Sequence, residues 1–564
     1  MAASWTKDGK EVKVVIVGGV AGGMSTATRL RRLREDAEII VFEQGPHVSY
    51  ANCGLPYHIG EVIPAEKDLL LQTPESLGDR FRLDVRVHSR VVGIDRDSKT
   101  VSVKNLETGE EYLESFDSLV LSTGAKPRMV PIPGLERAKV LRDVQDAVEI
   151  KQLVDEKQIS SAAIIGAGFI GVELAENLQE RGIDTTIVEF RENILPQFDP
   201  EMIEPLQATL VEHGIKLALS AETEEVLEDT LRLKDGRVIP ADLVVAAIGV
   251  VADHQLAVDA GLEIGKAGGI AVNEQMQTSD PNIYAVGDAA EKTSLLTGES
   301  QMIWLANLAN RHGRLVADVI AGEKVAAKRS IGTGIIGAYG MAAALTGITE
   351  GLAQRMSIPH KVIHLHPGSH AGYYPGSERV SLKVLFDPDS GKLLGAQGIG
   401  KDGVDKRIDV IATAIYAGLS VDDLMNLELA YAPAFGSAKD AINQTGYVGN
   451  NVLGGKTPTI QWHELEDAMQ QGTLLVDVRT QDENSAGSIP GSMLVPVDTL
   501  RENIEQLKGK DVVVTCAVGQ RGHTATQLLR SHGISVKNLD GGYTTWRAGM
   551  DARERAKVAS TALK

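Results

Sequence analysis

AAIIGAGFIGVELAENLQERGIDTTIVE, residues 162–189, is the stretch whose reading decides the fold. An apolar run leads into Gly166, Gly168 and Gly171 at G-x-G-x-x-G spacing, an amphipathic helical pattern follows, and a second apolar run closes on Glu189. That order predicts strand, tight turn, helix and strand, with a dinucleotide pyrophosphate received at the helix N-terminus. Glu189 stands where a carboxylate repels a 2′-phosphate and favours NADH, although Arg191 is close enough to contact such a phosphate.

The pattern occurs a second time, upstream, in VKVVIVGGVAGGMSTATRLRRLREDAEIIVFE, residues 12–43. Gly18 permits the tight turn, Gly23 permits close packing of helix on strand, and Glu43 is placed to accept hydrogen bonds from ribose hydroxyls. Val20 takes the place of the middle glycine, and Gly19 and Gly22 beside it restore backbone freedom. Two further segments have the same flavour. LVLSTGAKP, residues 119–127, ends a strand in the small-residue turn at Thr123 and Gly124, and NIYAVGDAAE carries Gly287 and Asp288 just beyond a β-rich run.

At 564 residues the chain is too long for one hydrophobic core. A formal net charge of −19 argues against a basic face that follows a phosphate backbone, so nucleic acid is not an expected partner. The beginning of the chain has no apolar signal core, and no run of about 18 apolar residues follows, so a cytoplasmic protein without a membrane span is expected. Only two cysteines, Cys53 and Cys516, are present. That count excludes a disulfide framework and a multi-cysteine zinc site, no metal is expected, and both residues read as possible thiolates.

The two Gly-rich units with the segments at 119–127 and 282–291 resemble the flavoproteins with two dinucleotide-binding domains. The resemblance implies that Asp288 holds the ribityl chain of FAD. HVSYANCGLPYHIG, residues 47–60, resembles the active-site segment of the single-cysteine branch of the pyridine nucleotide-disulfide reductases, close to coenzyme A disulfide reductases, with Tyr50 where Phe is usual. Reductases of the glutathione and thioredoxin type need a cysteine pair, which this chain lacks. A single Cys53 needs an external sulfur partner, or it must cycle through sulfenic acid.

By that resemblance, coenzyme A lies beside Cys53 on Arg32, Ser49, Asn52, Gln72 and Thr73, with Arg32 able to pair with a phosphate. SHAGYYPG at 369–376 and LAYAPAFGSAKD at 429–440 resemble the family's interface domain, whose tyrosines reach the cysteine of the partner subunit. These roles fall on Tyr373 and Tyr431, with Tyr374 as an alternative to the first, and a phenol there would serve the departing thiolate. Ala434 and Phe435 stand where the family commonly has Pro and Tyr.

From about residue 457 the chain reads as another α/β unit. CAVGQRG at a strand-to-helix junction, residues 516–522, looks like a rhodanese active-site loop, in which backbone N–H groups face the sulfur of Cys516 and Arg521 adds positive charge. Phosphatase loops are longer, so the spacing favours sulfur as cargo, and Asp477 and Arg479 are expected to brace the loop.

The expected fold class is therefore α/β. Two Rossmann-like dinucleotide-binding domains (FAD, 12–150 and 270–328; NAD(P)H, 151–269) precede an α+β dimerisation domain (329–450), a polar linker and a rhodanese-like domain (457–560). The expected activity is NAD(P)H-dependent, FAD-mediated reduction of coenzyme A disulfide, coenzyme A persulfide or polysulfide in a homodimer. The alternatives are a flavin NADH oxidase or peroxidase using a Cys53 sulfenic acid, and a sulfur- or redox-sensing protein without turnover.

Overall fold

In the computed structural model, which describes residues 6–7 and 10–561, the stretch at 162–189 falls in the strand Ser161–Ile165, the helix Phe169–Glu180 and the strand Asp184–Val188. With Lys216–Ala218 and Leu243–Ala246 they build a four-stranded parallel sheet. Ile164, Ile187 and Val245 are fully buried, as continuous apolar strands covered on both faces require.

The first unit is a five-stranded parallel sheet centred on Lys13–Val17, with Glu38–Phe42 and Asp84–Arg86 on one side and Ser118–Leu121 and Ile283–Ala285 on the other. Its last strand arrives only after the whole second unit, so the second unit is an insertion. The antiparallel pair of Ala125–Pro127 with Val250–Ala252 carries the chain across and back.

The helix Val144–Asp155 spans the expected division at 150/151. Its apolar stripe, Val144, Ala147, Ile150 and Val154, shares one buried cluster with Leu55 and Ile59 of the first unit and with Ala162, Ile164 and Leu174 of the second. A capping box between Asp143 and Asp146 marks where that helix starts.

The third unit is a five-stranded antiparallel sheet in the order Gly334–Ala338, Met341–Gly347, Leu393–Gly400, Val380–Phe386, Lys361–Leu365, backed by the helices Val404–Tyr416 and Ala441–Leu453. The fourth is a parallel five-stranded sheet around Asp511–Thr515, with the helices Gln520–Ser531 and Gly542–Thr561.

The polar linker, NVLGGKTPT at 451–459, is held to the units on either side of it. Residues 451–453 finish the helix Ala441–Leu453, Arg530 donates to the carbonyls of Gly455 and Lys456 at 2.7 and 2.6 Å, and Thr457 bonds His523 at 2.6 Å. The fourth unit also rests on the second. Its terminal helix packs against Pro200–Glu212, and Arg555 pairs with Glu204 at 2.6 Å. Among the described residues no helix is long and apolar enough to cross a membrane.

Candidate functional site

Both Gly-rich turns open on one cleft of about 2030 Å³, whose lining includes Gly18, Gly22, Gly168, Glu43, Thr123, Gly124, Gly287 and Asp288. Gly18 has φ +101°, and a Cβ there would stand 2.1 Å from the carbonyl oxygen of Ser122. Gly166 repeats the geometry with φ +105° and 2.4 Å to the carbonyl oxygen of Ala247. A Cβ on Gly23 would stand 1.9 Å from the Gly18 oxygen, and one on Gly171 would stand 2.1 Å from the Gly166 oxygen. Any side chain at either position would push its helix off its strand. Val20 and Gly168 are the equivalent N-cap residues, with φ −109° and −75°, so valine is sterically allowed in the middle position.

The terminal carboxylates brace their own turns. Glu43 accepts from the N–H groups of Gly19 and Gly45 at 2.8 and 2.9 Å, and Glu189 from those of Ala167 and Arg191, both at 2.8 Å. Glu189 is 8% exposed and lies outside the cleft lining, whereas the Arg191 side chain is exposed. Two turns whose first and last glycines admit no Cβ, each opening a helix and each closed by a carboxylate, fit two dinucleotides in one cleft. The Gly287–Asp288 turn is fixed from below by Lys292, whose Nζ donates to the carbonyls of Gly287 and Ala290 at 2.6 and 2.8 Å. Burial pushes Lys292 down to about 8, against the pull of Asp288. Burial likewise raises Asp288, against the opposing charges of Lys292 and Arg142.

Cys53 sits in the short 3-10 turn Asn52–Gly54, which leads into the helix Leu55–Ile59, and its thiol is exposed to the cleft. Burial of the surrounding wall, then the charges of Glu173 and Asp288, push its pKa up. Glu173, on the second nucleotide helix, accepts from the Tyr57 hydroxyl at 3.3 Å. Burial, reinforced by the charge of Glu176, pushes this carboxyl up to about 7. Sequence reasoning missed Glu173 and Tyr57. Their places two residues after Gly171 and four after Cys53 were visible, but not that the two segments meet.

Arg32, Ser49, Asn52 and Gln72 line the same cleft. The Arg32 guanidinium stands 5.4 Å above the Phe81 ring, and no carboxylate among the described residues pairs with it. Thr73 lies outside the lining: its hydroxyl oxygen accepts from the Ser76 N–H and caps the helix Pro74–Phe81. Tyr373 and Tyr431 are 77% and 49% exposed, with hydroxyls 3.2 Å apart, and neither lines the cleft of its own chain. Tyr374 instead packs edge-on against His370.

Cys516 begins the loop after the strand Asp511–Thr515 and is 1% exposed. Its Sγ accepts from the Gly519 N–H at 3.1 Å, and Gly519 has φ +91°. A Cβ on Gly522 would stand 2.0 Å from Asn538 Oδ1, so the glycines shape a cradle. The positive charge expected of Arg521 is paired: Glu483 holds the guanidinium with two bonds of 2.7 and 2.6 Å, which offsets part of it. Asp477 and Arg479 pair with each other, and they reach Asn484 and Gly487 rather than the Cys516 loop. The Arg479 guanidinium lies 4.3 Å over the ring of Tyr543, whose N–H donates to the Cys516 carbonyl at 2.7 Å.

Fold and site together define a flavin- and pyridine-nucleotide-dependent oxidoreductase with one cysteine in its nucleotide cleft and an appended rhodanese-like unit. The chain belongs to the pyridine nucleotide-disulphide oxidoreductase family, whose model matches residues 12–313 and whose dimerisation domain matches 339–441; a rhodanese-like domain matches 461–549. That family works with FAD and NAD(P)H. Coenzyme A disulfide reductase of Staphylococcus aureus strain JH9 is 34% identical over 436 residues, 77% of this chain and 99% of the relative. The structure of reduced Bacillus anthracis CoADR-RHD superposes with TM-score 0.95 at 46% identity, covering 98% of this chain and 100% of that one. An NAD-dependent persulfide reductase from A. fulgidus superposes with TM-score 0.89 at 34% identity, covering 95% and 100%.

Proposed function

We propose that this chain uses NADH to reduce coenzyme A disulfide and coenzyme A persulfide or polysulfide through Cys53, while Cys516 carries sulfane sulfur in the rhodanese-like unit. The observation that carries the reading is a single cysteine opening on the cleft that both nucleotide turns share. FAD, held on the Gly18–Gly23 turn, Glu43 and Asp288, and NADH, on the Gly166–Gly171 turn, supply the electron pair when bound. In this reading the flavin unit comprises 12–150 and 270–328, the NADH unit 151–269, the dimerisation unit 329–450 and the rhodanese-like unit 457–560, with the helix at 144–155 shared in packing with the second. The protein is a cytoplasmic homodimer.

The Cys53 thiolate attacks one sulfur of the substrate disulfide; the S–S bond breaks, and the first thiolate leaves and takes a proton. The resulting mixed disulfide then accepts two electrons, its S–S bond breaks, the second thiol departs, and the Cys53 thiolate is restored. With a persulfide, the same attack releases a thiol and leaves the sulfane sulfur on Cys53, from which two electrons release it as sulfide. Arg32, Ser49, Asn52 and Gln72 orient the substrate, with Thr73 at the edge. The partner's pair of phenols, Tyr373 and Tyr431, supplies the hydrogen bond to the departing thiolate.

Cys53→Ser tests the reading. The variant keeps FAD and still accepts electrons from NADH in an anaerobic titration, but loses disulfide turnover. Near-normal reduction of coenzyme A disulfide by this variant would sink the single-cysteine mechanism.

A further inference from the structure

Three parts of the chain meet at His364. This buried residue lies on Lys361–Leu365, the outer strand of the antiparallel sheet. Its Nδ1 is 2.7 Å from Asp540 Oδ2 in the rhodanese-like unit, and its Nε2 is 3.1 Å from Glu201 Oε1 on the helix Pro200–Glu212 of the second dinucleotide unit. Two ring nitrogens facing two carboxylates describe an imidazolium that donates to both. Burial alone would lower its pKa, but the hydrogen bonds to Asp540 and Glu201 prevail and push it up to about 9.

The other charged groups around it are accounted for. Lys383 pairs with Glu201, with Asp199 at 2.9 Å and with Glu350 at 2.6 Å, so an ammonium already fills the space that these three carboxylates could offer a cation. The charge of Lys383 opposes protonation of His364 without overcoming the two carboxylates. His366, one residue past the end of that strand, is pushed down to about 3 by burial and then by the charges of His364 and Arg379. It stays neutral and bonds Ser381 and Thr545, both at 2.8 Å.

Asp540 leads directly into the turn Gly541–Gly542, with φ +65° and +63°. That turn touches both sides. A Cβ on Gly541 would stand 2.7 Å from the His364 Cβ, and one on Gly542 would stand 2.4 Å from the carbonyl oxygen of Cys516. Just beyond it, Tyr543 N–H donates to the Cys516 carbonyl at 2.7 Å and Thr544 N–H to that of Ala517 at 3.0 Å.

We propose that His364 and Asp540 are a positioning pair for sulfur transfer at Cys516, tying the backbone of the Cys516 loop to the dinucleotide-binding half of the molecule. The inference rests on the reading of Cys516 as the sulfur-carrying thiol. No bond to sulfur changes at the pair; it holds the turn on which the Cys516 carbonyl hangs. Because the folded-state pKa of His364 is raised above its ordinary 6.5, the charged contact is complete below that value and is lost as pH rises through about 9.

The test is transfer of sulfur from thiosulfate to cyanide by the full-length, FAD-loaded chain, followed from about pH 6 to about pH 10. In the native chain kcat falls as pH rises through about 9. Asp540→Asn keeps the shape but removes one of the two carboxylates, so the alkaline limb moves down by about one unit or more. His364→Gln removes the limb and lowers kcat roughly 10- to 100-fold, with KM for thiosulfate unchanged. NADH-driven reduction at Cys53 is unchanged in both variants, which reports that the nucleotide-binding part folds, and the unchanged KM for thiosulfate together with a native circular-dichroism melt reports that the rhodanese-like unit does. A limb that stays in place in Asp540→Asn, even with a uniform loss of kcat, overturns the proposal, because a purely structural contact would do that. Cys516→Ser is assayed alongside. Sulfur transfer surviving in that variant refutes the Cys516 reading and the positioning pair with it, whereas its loss together with an unmoved limb in Asp540→Asn refutes the pair alone.

Discussion

Glu173 faces the Cys53 segment from another unit, and its carboxyl takes up a proton at about pH 7. Above that pH its negative charge disfavours the Cys53 thiolate, adding to the effect of burial. Glu173→Gln removes the charge and keeps the shape. The expected outcome, in a Cys516→Ser background so that one thiol is read, is a lower pH midpoint for alkylation of Cys53 by iodoacetamide. Disulfide turnover should also lose the component of its pH profile near 7. An unchanged midpoint would mean that the carboxylate does not act on the thiol. Cys53 was legible in the sequence because its motif is local. Glu173 was not, since its role depends on the packing of two units whose relative placement no local pattern encodes.

Elements were legible where backbone sterics demand a particular residue. Gly18, Gly23, Gly166 and Gly171 each face a carbonyl oxygen where a Cβ would stand, which is why the two fingerprints could be read as strand, turn and helix. Gly171→Val is expected to separate the helix Phe169–Glu180 from its strand. Overpacking of this kind costs about 1–3 kcal/mol, visible as a lower melting temperature, and KM for NADH rises while bound FAD is retained. Loss of FAD with normal NADH binding would reverse the assignment of the two turns. Less legible was the segment at 451–459. Its Gly, Lys and Pro read as a linker, yet Arg530, Gln527 and His523 of a later helix fasten it. Turn-forming residues say that a helix ends; whether the chain then floats or docks is decided by partners distant in sequence.

At the scale of the molecule, the two thiols occupy different surroundings: Cys53 opens on the nucleotide cleft, and Cys516 lies buried in a loop of another unit, outside the lining of that cleft. The sequence placed them in separate units but gave no sign that the units are joined by His364, Asp540 and Glu201, which come from three distant segments. The rhodanese-like unit is fixed by that junction and by Arg555 against Glu204, which disfavours a swing of the whole unit, and we propose a diffusible carrier for sulfur passing between the thiols. A coenzyme A thiol, already the expected occupant beside Cys53, has the chemistry to take sulfane sulfur from a Cys516 persulfide and present it as coenzyme A persulfide. Cys516→Ser is therefore expected to leave NADH-driven reduction of coenzyme A disulfide intact while lowering sulfur transfer and the release of sulfide from polysulfide. If coenzyme A is the carrier, sulfide release by the native chain rises when coenzyme A is added, and the rise is smaller in Cys516→Ser. Sulfide production measured with and without coenzyme A, in both proteins, gives the four rates that decide it. Equal rates in the two proteins under both conditions would remove Cys516 from the pathway and leave polysulfide to react at Cys53 directly, because the nucleotide turns and the Cys53 cleft are built without any contribution from the rhodanese-like unit.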